Sequence, residues 1–379
     1  MLIGILGGGQ LARMMALAGI AMGLRFRVLD HGSDCCASAV AEFVRGEFQD
    51  LELIDRFSNG LHAATFDFEN VPADSVTRLA TVVPVRPGAA VLRMSQDRVL
   101  EKQAFQSLGI AVGDFMAIDD LPGLCLAAER FSGQMVLKTR RLGYDGKGQA
   151  RVRPDSDLAQ ALGDLGGAGL IAEAFVPFQR ELSLVCTRGI DGAMVFYPLV
   201  ENVHIGGVLA LTLAPAKVTE SLSAQAHLAA RRVADAYSYV GTFAIEFFEL
   251  EQRLLVNEMA PRVHNSGHWS IEGAVTSQFE NHLRAVLGWP LGTAQARSPA
   301  AMINFLGQVP SPVPALRLPG VHWHDYGKAP RAARKVGHVT MLAEDSSALV
   351  ARIHEVLEAC ELAHWKGAFE PAMQRLLAS

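Results

Sequence analysis

The stretch with the highest density of chemically active side chains runs from Leu254 to Gly273, LLVNEMAPRVHNSGHWSIEG. It begins as an apolar strand that ends on Asn257 and Glu258. Groups that bind anions, metals and protons then crowd into the twelve residues from Glu258 to Trp269: Arg262, His264, Asn265 and His268. A surface loop has little structural reason to collect such side chains, so the stretch is a candidate functional site.

A second acid precedes this stretch, in the strand TFAIEFFE that starts at Thr242. A hairpin centred on Gln252 places Glu246 and Glu258 opposite each other, with Cβ atoms about 5 Å apart. Two carboxylates at that separation repel unless a cation lies between them, and hard oxygen ligands suit Mg²⁺ shared with substrate phosphates. An exposed charged hairpin fits the spacing equally well, and the HNSGHW segment that follows favours a site.

The length and composition of the chain indicate its number of domains and its general class. A chain of 379 residues predicts two or three domains. With 50% hydrophobic and 19% charged residues, a net charge of −5 and a pI near 6.2, it predicts a soluble protein that does not bind nucleic acid. No run approaches 18 apolar residues, so no membrane span is expected, and MLIGILGGGQ reads as a first strand, not a signal peptide. Five cysteines without metal-binding spacing suggest the reducing cytosol.

The N-terminal region has the pattern of a βαβ unit. Apolar strands are predicted at residues 2–6, 26–29, 63–66 and 82–85. Gly7, Gly9 and Ala12 match the GxGxxG/A fingerprint, and Asp30 is an acid near the expected distance. This pattern is compatible with dinucleotide binding, and equally with a tight turn from strand to helix that needs small residues.

A helix is predicted from Ser95, with Asp97 as its cap. Arg98 and Lys102 lie four residues apart on one face of that helix. On pattern alone, solvated charges are the more probable interpretation for both.

Two further segments gather positive charge. After the strand MVLK, which ends at Lys138, three glycines occur in the segment TRRLGYDGKGQ together with Arg140, Arg141 and Lys147. This pattern favours a phosphate-covering loop over a simple hairpin turn. Near the C-terminus, four cations lie within eight residues and predict either an anion site or a solvated hairpin tip: Lys328, Arg331, Arg334 and Lys335.

Taken together, the segments GGGQLARM, TFDFENVP, DRVLEKQ, GYDGKGQ, EAFVPFQRELSLV, NEMAPRVHNSGHW and RKVGH resemble the ATP-grasp superfamily. Within it they most resemble the 5-(carboxyamino)imidazole ribonucleotide synthase family. The resemblance implies an α/β ATP-grasp fold with a Rossmann-like N-terminal domain at 1–95 and an ATP-grasp domain at 96–300. The latter includes a small mobile lid at about 121–178 and a large domain that binds ATP and metal, and a small C-terminal subdomain follows at 301–379.

The resemblance also implies a set of site residues. Glu246 and Glu258 would bind Mg²⁺. ATP would be bound by Arg98, Lys138, Gly143, Tyr144, Asp145, Gly146, Lys147, Gly148, Gln149, Glu173, Ala174, Phe175, Val176, Glu181, His204, Asn257 and Glu258. The sequence departs from the family pattern at Asp67, where relatives have Glu, and at Ala332-Ala333, where they often have Pro-Gly.

The implied reaction is the ATP- and bicarbonate-dependent N-carboxylation of 5-aminoimidazole ribonucleotide through carboxyphosphate, by a cytoplasmic homodimer. In our hypothesis Lys138 and Lys147 neutralise the γ-phosphate, Arg262 binds the bicarbonate-derived group, and His264 or His268 accepts the amine proton. Asn265 orients the ribonucleotide, and Lys328 with Arg334 or Lys335 binds its 5′-phosphate. The alternatives are another ATP-grasp ligase, a nicotinamide-dependent oxidoreductase built on Gly7, Gly9 and Asp30, and a non-catalytic binding protein.

Overall fold

The first region of the fold is a parallel sheet with helices around it. The structure of the protein is a computed structural model that describes residues 1–143 and 148–378. The first region lies within residues 1–95. Its elements are β1 (Leu2–Leu6), α1 (Gln10–Ile20), β2 (Arg25–Asp30), β3 (Glu42–Arg45), α2 (Leu51–Ser58), β4 (Ala63–Phe66), α3 (Ala73–Leu79) and α4 (Ala89–Ser95). The strand order is β3-β2-β1-β4, and all neighbours are parallel. β1 is buried along its whole length, as expected for a central parallel strand covered on both faces.

The prediction of a strand at residues 82–85 is wrong. Only Val85 forms a bridge, to Ala64 of β4, and Val82 is 56% exposed. Pro84 has no N–H to donate, so the segment cannot extend the ladder.

Helix α5 (Arg98–Ser107) leads into a second, four-stranded antiparallel sheet. The Asp97 side chain accepts a hydrogen bond from the N–H of Val99 and caps α5, as the sequence predicted. The sheet and its two helices comprise β5 (Phe115–Ile118), α6 (Leu121–Arg130), β6 (Met135–Thr139), β7 (Gln149–Val152), α7 (Leu158–Asp164) and β8 (Leu170–Ala174). The strand order is β5-β8-β6-β7, and the first strand of this sheet begins at Phe115.

The third region is built on one nine-stranded sheet. Its strands are β9 (Arg180–Arg188), β10 (Met194–Phe196), β11 (Val200–Ile205), β12 (Val208–Ala214), β13 (Gly241–Leu250), β14 (Arg253–Ala260), β15 (Ala300–Leu306), β16 (Val321–Asp325) and β17 (Lys335–Leu342). They follow the order β14-β13-β9-β11-β12-β15-β17-β16, with β10 paired to β9. The C-terminal residues therefore extend the sheet that carries the polar stretch.

Helices cover this sheet and join it to the N-terminal region. They are α8 (Glu220–Ala236), α9 (Ser270–Gly273), α10 (Gln278–Leu287), α11 (Pro312–Ala315), α12 (Ser346–Ala359) and α13 (Lys366–Leu377). Short 3₁₀ turns occur at Cys36–Ala39, Asn265–Gly267 and Ala363–Trp365. Phe279 and Leu283 of α10 pack in one apolar cluster with residues of α1 and β1, which fixes the two regions against each other. Within the described residues, no helix is both long and apolar enough to cross a membrane.

Candidate active site

The hairpin of β13 and β14 brings two acids face to face. Glu251 and Gln252 form its two-residue turn, with φ of 49° and 64°, the left-handed conformation that tight hairpin turns require. Regular pairing continues to Phe247 and Val256, and there a register shift leaves Asn257 as an extra residue. Beyond this β-bulge, Glu246 pairs with Glu258. The predicted opposition is confirmed, whereas the predicted centre at Gln252 is wrong, because the bulge and not the turn sets the pairing.

The two acids have very different electrostatic environments. Burial and the nearby Glu258 charge raise the pKa of Glu246 to about 7. Burial alone would raise the pKa of Glu258 as well, but Arg98, whose Nη1 lies 2.5 Å from Glu258 Oε2, lowers it to about 2. His264 Nε2 lies 3.3 Å from Glu246 Oε1. Glu258 is therefore a carboxylate at pH 7, and Glu246 has a pKa close to neutral pH.

The oxygen atoms at the bulge suit a hard cation. Besides the two carboxylates, Asn257 Oδ1 is buried and has no hydrogen-bond partner among the described residues. Within that same part of the chain, no group of three or more acidic, histidine or cysteine side chains could hold a metal by itself. The oxygens of Glu246, Asn257 and Glu258 therefore fit Mg²⁺ if substrate phosphates and water complete its coordination.

Two residues of α5 reach the same bulge and were missed by the sequence interpretation. Glu101 and Lys102 are only 2% and 3% exposed, so Lys102 is not a solvated charge. Glu101 Oε1 accepts a hydrogen bond from the N–H of Met259 at 2.9 Å, and Lys102 Nζ donates to the carbonyl of Asn257 at 3.1 Å. Burial and the Glu258 charge raise the pKa of Glu101 to about 8. Helical spacing predicts neither contact, and the signal that could have pointed to both residues is the DRVLEKQ segment, which carries the resemblance.

The second sheet contributes cations and a buried acid on the lid side. Lys138 Nζ, on β6, donates to Glu173 Oε2 of β8 at 2.9 Å, and Lys102 Nζ lies 3.5 Å from the same oxygen. Although burial opposes it, these two cations hold the pKa of Glu173 below its usual value. Arg98 Nη2 donates to the carbonyl of Gly143 at 3.3 Å, which links the start of the glycine-rich loop to the acid pair.

The rest of the glycine-rich loop is only partly covered by the structure. The predicted phosphate-binding residues Tyr144, Asp145, Gly146 and Lys147 lie outside the described residues. Gly148 has φ of +69°, and a Cβ there would lie 2.6 Å from Thr139 Oγ1, so the return into β7 requires glycine. Gln149 begins β7 opposite Lys138.

Further residues predicted to bind ATP lie at the end of β8, directly after it and on the nine-stranded sheet. Ala174 ends β8, and the guanidinium of Arg151 lies 4.2 Å from the centre of the Phe175 ring. Phe175 and Val176 are both partly exposed. On the large sheet, Glu181 Oε2 lies 3.0 Å from His204 Nδ1. Burial would lower the pKa of His204, but this contact raises it above its usual value.

In the HNSGHW segment, His264 contacts the acid pair, whereas His268 and Asn265 pack elsewhere. His264 contacts Glu246 through Nε2, while its Nδ1 lies 2.8 Å from Ser266 Oγ. His268 is fully buried, with its ring near Phe279 and His338. Burial holds the pKa of both histidines well below the usual value.

Asn265 is engaged in packing. It exchanges two amide hydrogen bonds with Asn304, of 3.1 and 2.6 Å. The structure therefore brings His264 to the acid pair and does not bring His268 or the Asn265 amide there.

The remaining predicted substrate residues meet the N-terminal region. Arg262 forms an ion pair with Glu69, and Lys328 Nζ donates to Gln10 Oε1. Arg334 Nη1 lies 2.6 Å from Asp34 Oδ2. Lys335 opens β17 and lies close enough to the polar stretch to help lower the pKa of His264.

Sequence reasoning did not assign these N-terminal partners to the site. Glu69 and Gln10 belong to the TFDFENVP and GGGQLARM segments that carry the resemblance, which is the signal that could have revealed them. No comparable motif points to Asp34.

The first glycine loop is already occupied by protein carboxylates. Asp67 Oδ2 accepts from the N–H groups of Gly9 and Ala12 at 2.9 and 3.1 Å, and Asp30 Oδ2 accepts from Gly8 at 2.7 Å. Because these acids already use the amides that a pyrophosphate would need, the loop does not support dinucleotide binding. It is a structural turn at the start of α1.

Comparison with known proteins agrees with this architecture. Family models match in three consecutive parts: a ribonucleotide synthetase preATP-grasp domain at residues 1–96, an ATP-grasp domain at 103–279 and a phosphoribosylaminoimidazole carboxylase C-terminal domain at 300–352. The N5-carboxyaminoimidazole ribonucleotide synthase of Pseudomonas aeruginosa is 47% identical over 94% of this chain and 98% of its own.

Solved structures show the same relationship. The N5-carboxyaminoimidazole ribonucleotide synthetase of Thermus thermophilus superposes with a TM-score of 0.90 at 49% identity, covering 94% of this chain and 98% of that one. An Aspergillus clavatus synthase in complex with ADP and 5-aminoimidazole ribonucleotide gives 0.88 at 27% identity, covering 95% and 98%. The predicted ATP-grasp fold is confirmed, and the chain belongs to the N5-carboxyaminoimidazole ribonucleotide synthase family.

Proposed function

We propose that this chain is an ATP-dependent ligase that carboxylates 5-aminoimidazole ribonucleotide on nitrogen, with bicarbonate as the carbon source, in purine biosynthesis. The observation that carries the proposal is the opposed pair of Glu246 and Glu258, with Arg98 on one acid and His264 on the other. The relatives named above have this activity in their names, and one was crystallised with ADP and the ribonucleotide.

The nucleotide end of the site would bind ATP phosphates between the acid pair and the lid. Mg²⁺ held by Glu246 and Glu258 would neutralise phosphate charge when bound. Arg98, paired with Glu258, and Lys138, paired with Glu173, add positive charge at this end of the site. Lys147, which we also propose to contact the γ-phosphate, is in the part of the loop that the structure does not describe. Together these groups favour phosphoryl transfer to bicarbonate, which by itself is a poor electrophile.

The acceptor end would bind the ribonucleotide between the C-terminal cations and the N-terminal region. Lys328, Arg334 and Arg262 already contact polar side chains of that region, so a bound 5′-phosphate or carboxyphosphate would replace or join these contacts. Phosphate is a stronger acceptor for such cations than a neutral amide, so the exchange at Lys328 is favourable. We keep Lys335 as a further candidate for the phosphate.

His264 is the better placed of the two histidines to accept the amine proton. Burial holds its pKa well below the usual value, so the ring is neutral at pH 7 and one nitrogen carries a lone pair, but the same burial makes that nitrogen a weak base. Both ring nitrogens have partners, in Ser266 and Glu246. Proton uptake therefore requires one of these contacts to rearrange when substrate binds. We infer that His268, enclosed by aromatic rings, stays outside proton transfer.

The proposal is tested by ADP release from ATP and Mg²⁺, with bicarbonate and 5-aminoimidazole ribonucleotide each present or omitted. We expect rapid release only when all are present, together with incorporation of labelled bicarbonate into an acid-labile product. Release that another amine stimulates more strongly than the ribonucleotide would assign the chain to a different ligase reaction. The homodimer and the cytoplasmic location stay predictions, of which the first is open to light scattering.

A further inference from the structure

Two buried ionisable side chains of α5 bind the backbone of the acid-bearing hairpin. Glu101 accepts from the N–H of Met259, and Lys102 donates to the carbonyl of Asn257. The two backbone groups flank Glu258, one on each side. Adjacent residues of one helix therefore bind the backbone before and after the same acid.

The place of these contacts matters because it is the bulge. β14 is the edge strand of the nine-stranded sheet, so backbone groups on its outer side have no strand partner, and the β-bulge also interrupts its ladder with β13. An unpaired buried amide or carbonyl is costly, so the backbone groups next to Glu258 need partners from elsewhere. Glu101 and Lys102 supply these bonds from the helix that lies behind the strand.

Ordinary helix packing does not explain this choice of residues. Side chains only 2% and 3% exposed at a helix–sheet contact are normally apolar, since burying charge is unfavourable unless each group is paired. Here each of the two polar groups bonds a backbone atom next to the same acid. Lys102 also lies 3.5 Å from Glu173 on β8, which connects the bulge to the lid sheet.

We propose that Glu101 and Lys102 are positioning residues that hold the β14 bulge, and thereby fix Glu258 opposite Glu246 for a divalent cation. The inference rests on the proposed use of this acid pair for Mg²⁺. In this role the two residues act through the backbone on either side of Glu258 and not as metal ligands. In their absence the bulge relaxes and the second acid loses its fixed position.

The test measures the affinity of the full chain for ADP with and without Mg²⁺, by titration calorimetry. We expect Mg²⁺ to tighten ADP binding in the wild type. Glu101→Ala should reduce that gain about tenfold, equivalent to about 1.4 kcal/mol, while ADP affinity without Mg²⁺ stays within about twofold. Glu101→Gln keeps an acceptor oxygen for Met259 and should retain the gain.

Two further variants make the result specific. Lys102→Met should reduce the gain as Glu101→Ala does, whereas Gln103→Ala, on the exposed side of α5, should not. Hydrogen exchange at the Met259 amide gives an independent readout. Protection should fall in Glu101→Ala and persist in Glu101→Gln, and this comparison does not depend on whether Lys102→Met folds.

The outcomes separate this inference from the proposed function. Equal loss of the Mg²⁺ gain in Glu101→Ala and Glu101→Gln would overturn it, because Glu101→Gln keeps an acceptor oxygen for the N–H of Met259. A full gain and full protection in Glu101→Ala would also overturn it. If the wild type itself shows no gain from Mg²⁺, the proposed metal use of the acid pair fails instead.

Discussion

Metal binding at the acid pair should depend on pH through Glu246. Its pKa is raised to about 7 by burial and by Glu258, whereas Glu258 is already ionised because Arg98 lowers its pKa to about 2. A protonated carboxyl is a poor metal ligand, so the cation must displace a proton from Glu246. Affinity should therefore rise with pH through 7 and be lost as pH falls.

The size of the effect follows from the ionised fraction. With a pKa of about 7, Glu246 is about nine-tenths ionised at pH 8 and about one-tenth at pH 6. Apparent affinity for the metal should then fall about tenfold over this range, or about 1.4 kcal/mol. His264 adds nothing to the slope, because its pKa lies well below the range and the ring stays neutral. Glu101, whose pKa is raised to about 8, also titrates in this range, so the contribution of Glu246 is read from the comparison with Glu246→Gln.

The assay is Mn²⁺ binding in the presence of ADP, followed by the electron paramagnetic resonance signal of free Mn²⁺ at pH 6, 7 and 8. Glu246→Gln is the matched control, since titration of the nucleotide phosphates is common to both proteins. We expect the variant to bind Mn²⁺ weakly at every pH. Its Mn²⁺ affinity should also change less between pH 6 and pH 8 than that of the wild type. A wild-type slope no steeper than that of the variant would refute the assignment of the proton to Glu246.

Three more predictions concern other parts of the molecule. Glu258→Gln should reduce ADP formation about a hundredfold, because the metal loses an anionic ligand, while circular dichroism shows an intact fold. Lys328→Ala should raise the KM for the ribonucleotide about tenfold and leave that for ATP nearly unchanged, and the reverse pattern would remove it from the phosphate site. Gly7→Ala should lower the free energy of unfolding in urea by about 2–4 kcal/mol, because φ is +102° and a Cβ would lie 1.8 Å from Asp67 Oδ1. Gly60→Ala, at φ of +75° with nothing within 4 Å of its Cβ, should cost only about 1 kcal/mol, and equal losses would contradict the steric argument.

Local signals in the sequence were sufficient for much of the fold. The strands at 2–6 and 63–66 and the Asp97 cap depend on apolar runs and capping chemistry within a few residues, and all three are confirmed. The predicted strand at 82–85 failed because apolar character outweighed Pro84 in the interpretation.

The acid pair shows where sequence reasoning reached its limit. Counting from a turn centred on Gln252 gave the correct partners, but a two-residue turn alone would have placed Glu246 opposite Asn257. The bulge restored the pairing, and nothing in the strand's alternation reveals a single extra residue. Glu101 and Lys102 were missed for a related reason, since helix periodicity groups side chains without identifying the distant strand that they meet.

The contact between Lys328 and Gln10 joins positions 318 residues apart. Together with the pair of Arg334 and Asp34, it means that the N-terminal region meets these cationic partners only after most of the chain has been synthesised. A nascent polypeptide has both glutamates of the hairpin well before it has Lys328. Glu246 and Glu258 are therefore synthesised well before Lys328 and Arg334. A chain truncated before residue 328 would contain the two acids but neither of these two cations.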